Sequence, residues 1–273
     1  MNRALWKKAV ADAWRQMVAS ALVLCLFCWL FVWLMSFLEL GAWASLLDFV
    51  PNFFRPMMGV PLNQLASPAG QLSFLYVHVV TLLICTGWAI GRGSDVVAGE
   101  IARGTMEHLL TLPVWRISVM IAPAVVTAIG SIVLAFSVFA GLALGLTTVK
   151  FHGTVTLAPF LSGSTNLFAM TFCLAGATAF LSAFEHDRWR TIWRAGVFFV
   201  LSLIVKLVAR MWPDGRWLGW FSFLSAFEPQ TLILSRDGWG QTIRYDLTLV
   251  ALGLACYIAA ALVFWYRDIP VPR

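Results

Sequence analysis

Six long apolar runs divide the chain: Met17 to Leu38, Gln71 to Ile90, Ile117 to Leu146, Leu167 to Phe184, Ala195 to Trp212 and Leu247 to Tyr266. Crossing a hydrocarbon core as a helix takes roughly 20 apolar residues, and each run meets or approaches that length. The pattern predicts an all-α polytopic membrane protein with six transmembrane helices. An even number of crossings brings both ends of the chain to one face. No internal repeat or low-complexity linker interrupts the runs, so residues 1–273 are expected to form a single membrane domain.

The segments between the runs carry patterns of their own. Ahead of the first run, Trp6, Val10, Ala13 and Met17 recur at helical spacing while Lys8, Asp12 and Arg15 take the opposite face, which predicts an amphipathic N-terminal interfacial helix. A plain charged flank is the alternative. The first residues lack a signal-peptide cleavage site, so the first run is expected to be a retained anchor. Glu39 to Gly70 and Pro213 to Asp246 are long connections with aromatic-rich stretches, Phe49 to Met58 and Trp217 to Leu234 (Trp217, Trp220, Phe221, Leu224, Phe227). Such stretches are too short to span and belong at the interface or partway into the membrane. Phe223 to Ser235 is expected to be a re-entrant or interfacial helix pair interrupted at Pro229, external and just before span six.

Between runs two and three lies the one sizeable segment on the side of the chain ends, 92–116. A helix is expected to begin with Ser94 as N-cap and Asp95 in its first turn, and to stop near Leu112 because Pro113 disfavours a helical predecessor. Val97, Ile101, Thr105, Leu109 and Leu112 would share one side, with Glu100, Arg103 and Glu107 opposite at ion-pairing distances. Gly104 inside such a helix costs roughly 1 kcal/mol relative to Ala. Close approach of another backbone would offset that.

Composition and charge place the protein. Hydrophobic residues make up 60% of the 273 and charged ones 12%, about half the roughly 25% charge of soluble domains. Of the 19 Lys and Arg, twelve (Arg3, Lys7, Lys8, Arg15, Arg92, Arg103, Arg116, Arg188, Arg190, Arg194, Arg267 and Arg273) would share the side of the termini. The positive-inside rule then predicts cytoplasmic termini in the cytoplasmic (inner) membrane. Topology and attraction to anionic membrane lipids account for the net charge of +6, and nothing interleaves bases with aromatics as a nucleic-acid groove would. Cys25, Cys28, Cys85, Cys173 and Cys256 all fall inside runs and are expected to pack rather than bridge; a Cu(I) site at Cys25 and Cys28 is the sharper alternative.

The run Glu100…Gly104-Thr105…Leu109-Leu110…Pro113…Arg116, together with Phe264-Trp265-Tyr266-Arg267-Asp268 after the last span, resembles the ABC-2 class of ATP-binding-cassette permeases. The six spans and the external segment before span six are similar as well, so the likeness covers the whole chain, with His108 a departure. The resemblance implies a coupling helix built from Glu100, Arg103, Gly104, Thr105, Glu107, Leu109, Leu110, Pro113 and Arg116 that docks on a separate ABC-type ATPase subunit. It also implies a second permease chain as homodimer or heterodimer partner, a non-catalytic role for this chain, and a leaning toward export. Val96 to Arg116 is further similar to a branch of the family associated with maturation of a copper enzyme. That leaves a second role open, a non-transporting mechanotransmitter acting on an envelope protein or a metalloenzyme maturation pathway.

Independently, a P-loop requires Gly-Lys-[Ser/Thr], and none of the four lysines Lys7, Lys8, Lys150 and Lys206 follows a glycine. No cofactor is expected in this chain, and ATP and Mg would be bound by the partner ATPase. The long third run suits a lever, with Pro123 as a kink and Gly141 and Gly145 admitting a close neighbour, in the same chain or in a second one. Candidate translocation-path residues are His78 and Thr81, which share a face with Gln71 and Cys85, Thr178, in the stripe Thr171, Ala175, Thr178, Ser182, and Lys206; helix-packing glue is the alternative. Lys206 and Arg210 would snorkel outward or meet an anion. A hydrolase built on Ser162 or Ser164 with His152 lacks an acid to orient the histidine.

Overall fold

A computed structural model describes residues 3–106, 116–151, 153–235 and 239–266. Among these the chain is helical, without strands. Six helices are long and apolar enough to cross a membrane: Arg3–Met35, Pro68–Ala102, Ile117–Thr148, Ala158–Phe184, Arg188–Met211 and Trp239–Tyr266, the first to sixth spans. Each extends beyond the apolar run that predicts it. Their outward sides carry large apolar residues such as Leu22, Leu26, Leu83, Phe136 and Ile258. A surface of that kind suits lipid and not water, and this is a multi-pass membrane protein.

The first helix differs from expectation. It runs unbroken from Arg3 to Met35, about 50 Å at roughly 1.5 Å per residue, with no separate interfacial piece. Its buried stripe is Leu5, Ala9 and Ala13, and Val10 is exposed. The reason is the third span, which lies alongside it. At one end Leu5, Lys8 and Ala9 face Val119, Ala122 and Pro123 across a small cavity. Farther along, a side chain at Gly141 would strike the Cys25 carbonyl and one at Gly145 would strike Val32. At the far end the Trp29 Nε1–H donates to Thr148 Oγ1 at 2.9 Å. The glycine pair thus serves packing within the chain, and Cys28 is a buried packing residue beside it.

The fourth span is the axis of the bundle and the most buried helix. Small residues let its neighbours close on it: Gly176 meets the backbone of Gly253 in the sixth span, and Gly93 of the second span rests against Ala175 and Thr178. The Thr171 and Thr178 hydroxyls donate to Leu167 and Leu174 carbonyls of their own helix, each at 2.8 Å. Half of the predicted polar stripe is therefore satisfied locally and consumed by packing.

On the face away from the chain ends, short helices Leu40–Asp48, Arg55–Met58 and Leu62–Leu65 follow the first span. After the fifth span come 3₁₀ turns at Pro213–Phe221 and Phe223–Ala226 and a helix at Pro229–Leu234. Leu224, Ala226, Phe227, Leu232 and Ile233 are buried, so this segment enters the bundle. Pro229 opens the second helix instead of interrupting a pair; the break is at Phe227 and Glu228, which fits proline at a first helical position. Non-helical backbone at this depth must find partners inside the protein. The Asn166 amide supplies two, donating to the Ala226 carbonyl at 3.0 Å and accepting from the Glu228 N–H at 2.9 Å.

Two substitutions test this packing by thermal unfolding in mild detergent. Gly141→Leu forces a side chain into the Cys25 backbone and is expected to cost about 2–3 kcal/mol. Asn166→Ala strands a buried carbonyl and a half-buried N–H, and is expected to cost about 2 kcal/mol and to expose 222–228 to proteolysis. A wild-type melting temperature in either variant would overturn the corresponding contact.

Candidate functional site

The second span is interrupted twice, and the second interruption builds the site. The helix opens with Ser67, whose hydroxyl accepts from the Gly70 N–H at 3.0 Å, and ends at Val77. His78 is extended (φ −64, ψ 142) and caps the next stretch, its Nδ1 accepting from the Val80 N–H at 3.2 Å. Its ring packs against Phe27 and Phe31 of the first span. From Val79 the helix runs to Ser94 and continues into a wider π-helical turn, Asp95–Gly99, and a last turn, Glu100–Ala102.

The expected start at Ser94 is therefore absent. Its hydroxyl donates back to the Gly91 carbonyl at 3.0 Å and caps nothing. The apolar face of the span carries on through Val96 and Val97, which pack on Ala179, Ala183, Ala260 and Phe264. The helix ends at Gly104, not near Leu112. Gly104 has φ +70 and donates its N–H to the Ile101 carbonyl at 2.9 Å, a left-handed closure that glycine adopts without strain. Among the described residues nothing lies near the position of a Cβ there. Over its described part, 94–106, the expected helix is thus the end of the second span, then a left-handed break, then helical residues again at Thr105 and Met106. Glu107, Leu109, Leu110 and Pro113 lie outside the described residues, as does the side chain of Arg116.

A π turn widens the backbone, and Ser182 at the end of the fourth span covers it. The Ser182 hydroxyl accepts from the N–H groups of Val97 (3.3 Å) and Ala98 (2.9 Å) and donates to the Ser94 carbonyl at 3.1 Å. Such bulges recur at functional sites.

Charges from three spans converge on the elbow. Asp95 faces Arg103 at 2.6 Å, Arg92 at 3.4 Å and Arg188, at the start of the fifth span, at 3.5 Å. Glu100 is buried, not on an outward face as the helical pattern suggests. Its carboxylate accepts from Lys8 of the first span at 2.5 Å, Arg103 at 2.8 Å and the Thr105 hydroxyl at 2.5 Å. Arg103, like Lys8 and Arg188, is only partly buried. Partial burial works against its charge, but the hydrogen bonds to Asp95 and Glu100 outweigh that and hold its pKa above the ordinary arginine value. Two carboxylates thus bind the second span to the first and the fifth.

The other candidates are dispersed. Thr81 is buried with a hydroxyl that finds no hydrogen-bond partner, and Thr178 is buried against Gly93. Lys206 neither snorkels nor stands free. Its ammonium is buried, donates to the Phe227 carbonyl at 2.6 Å and pairs with Glu228 at 3.0 Å. Arg210 pairs with the same carboxylate and donates to the Met57 carbonyl at 2.6 Å. The inward turn of 222–228 brings Glu228 to these cations, and linear spacing does not reveal it. Ser164 bonds Tyr76 and Ser162 bonds the Pro159 carbonyl, while His152 lies outside the described residues. Among the described residues no cluster of His, Cys, Asp and Glu could hold a metal. The residues that sequence reasoning passes over are Asn166 and Glu228, with Asp95 as a hub and Ser182, known from the sequence only as part of a polar stripe, as the partner of the π turn; an acid three positions after Arg92 is the one local signal for the hub.

The profile of the family described as ABC-2 family transporter protein matches residues 14–264. A comparison with curated proteins gives no match. The matched span takes in the second to fifth membrane helices whole, most of the first and sixth, the elbow between the second and third, and the inserted segment before the last, and the chain belongs to the ABC-2 family of transporter proteins.

Proposed function

We propose that this permease couples ATP hydrolysis by a separate ATPase subunit to export of a substrate across the cytoplasmic membrane. Family membership makes the chain a membrane subunit of an ABC transporter and implies association with an ABC ATPase. ATP and Mg are held by that partner, and a second permease chain completes the assembly. The elbow faces the cytoplasm, in keeping with the twelve Lys and Arg on the side of the chain ends.

One observation carries the reading: the buried Glu100 carboxylate joins Lys8, Arg103 and Thr105 immediately before the chain breaks at Gly104. A partner that engages Arg103, Gly104, Thr105 and the following 107–116 segment, with Glu107, Leu109, Leu110, Pro113 and Arg116, presses on groups tied to Glu100 and Asp95. Displacing them loads the first span through Lys8 and the fifth through Arg188. Within the second span the break at His78 lets the outer half respond separately. Thr81, one turn beyond it with an unpartnered hydroxyl, and His78 are the path residues we retain beside Lys206; Thr178 serves packing.

The test is purification of the tagged protein in mild detergent with the proteins it retains. A P-loop ATPase is expected to co-purify. Glu100→Gln keeps the shape of the side chain and removes its charge. It is expected to leave the complex assembled and to lower hydrolysis roughly tenfold, equivalent to about 1.4 kcal/mol; undiminished hydrolysis in an intact complex would overturn the coupling role. Gly104→Ala places a Cβ on a left-handed residue with no described side chain near it, a strain of about 1 kcal/mol. Reduced recovery of the ATPase with little change in melting temperature is expected. Hydrolysis that answers only to an envelope protein, and to no solute, would assign the same elbow to force transmission instead of export.

A further inference from the structure

The face away from the chain ends holds a cavity of about 710 Å³ between the second span, the fifth span, the short helices 40–58 and the inserted segment. Its volume lies within the range of small-molecule sites, roughly 300–1,000 Å³. Most of its wall is apolar, with Phe54, Phe74, Phe199, Leu203 and Phe227 prominent, and Phe49 stands exposed at its edge. The charged lining residues are Lys206, Arg210 and Glu228. Two cations share one carboxylate, which leaves a surplus of one positive charge at the wall of an apolar chamber. Burying an uncompensated charge is costly, so a surplus of this kind calls for an anion.

A second observation points the same way. Gln230 lines the cavity, is 8% exposed, and its Nε2 amide finds no hydrogen-bond partner. A buried amide donor beside surplus positive charge suits an acceptor-rich, negatively charged headgroup. The position of Arg210 is also built in. Its guanidinium lies against Gly59, where φ is +71 and any side chain would collide with it. Its second bond, to the Met57 carbonyl, ties the short helix 55–58 to the cavity wall.

We propose that this cavity binds an anionic amphiphile, the headgroup seated on Lys206, Arg210 and the Gln230 amide and the tail among the phenylalanines. A bilayer phospholipid and a soluble amphiphilic cargo share this chemistry. The site lies within one chain and on the face opposite the elbow, so it stands whether or not the ATPase docks as proposed above.

The test uses the full-length protein in two arms. In the first, lipid retained after purification is extracted and quantified by mass spectrometry; about one anionic phospholipid per chain, lost in Lys206→Met, would identify the membrane as the source. In the second, delipidated protein is titrated with dodecyl phosphate and with zwitterionic dodecylphosphocholine. Tighter binding of dodecyl phosphate without a retained phospholipid would identify a soluble amphiphile. Lys206→Met leaves Glu228 paired with Arg210 and cancels the surplus charge. It is expected to weaken dodecyl phosphate at least tenfold and to leave dodecylphosphocholine unchanged. Leu203→Trp fills the apolar end from the fifth span and is expected to weaken both ligands, with no loss of melting temperature. Equal affinity for the two ligands, or binding indifferent to both substitutions, would overturn the proposal, as would the absence of both retained lipid and binding.

Discussion

Inside a bilayer an unpaired backbone N–H or C=O has no water to turn to, so a spanning chain leaves the α-helix only where the protein itself supplies the missing partner. Three departures organise this bundle, and each has its side chain. At His78 the imidazole of the breaking residue caps the helix that follows. At the π turn 95–99 the Ser182 hydroxyl serves two N–H groups and a carbonyl. At 222–228 Asn166 and Lys206 share the task, while the Ser222 hydroxyl ties the segment to the fifth span by donating to the Ser202 carbonyl at 2.6 Å. α-Helices without such breaks form the other spans. Two of these irregular points, the π turn and 222–228, are also places where charges gather.

That association has a physical cause. A helix interior offers no free backbone group to stabilise a buried ion, whereas a break offers several at once. Lys206 shows the combination, with one bond to a loop carbonyl and one to Glu228. At the elbow, Asp95 sits within the π turn itself and collects three arginines from two spans. A lone carboxylate or cation at either place would carry several kcal/mol of desolvation. Each is tolerated because it ties together segments far apart in sequence, and removing one member leaves its partners stranded.

The architecture was largely legible from the apolar runs, because the need for about 20 apolar residues per crossing is a one-dimensional constraint. All six spans follow from it. Their ends do not, because helices continue past the hydrocarbon wherever they still have something to pack against: the first span extends back to Arg3 over Val119 and Ala122, and the second extends to Ala102 over Phe264. The elbow was legible in place but not in form. Gly104 was visible as an oddity inside a helical pattern, yet its positive φ, which ends the helix, is a backbone property that composition does not encode. Glu100 looked outward by helical phase. The π turn shifts that phase, and Lys8, 92 positions away, receives the carboxylate. Glu228 was invisible as a partner for Lys206 because only the inward turn of 222–228 joins them.

Two helices reach both the elbow and the opposite cavity, and they differ in kind. The second span contributes Asp95 at one end and Phe74 and Val77 at the other, with the break at His78 between them; of its cavity residues Leu82 lies on the near side of the break. The fifth span contributes Arg188 at one end and Leu203, Lys206 and Arg210 at the other, and it is continuous from Arg188 to Met211 with no proline. An unbroken helix passes on a displacement of its end, whereas a hinge absorbs it. Motion imposed at Asp95 would therefore reach Lys206 and Arg210 along the fifth span. Arg210 extends it to the short helix 55–58 through the Met57 carbonyl, so the same rod that would feel the elbow also holds the cover of the cavity.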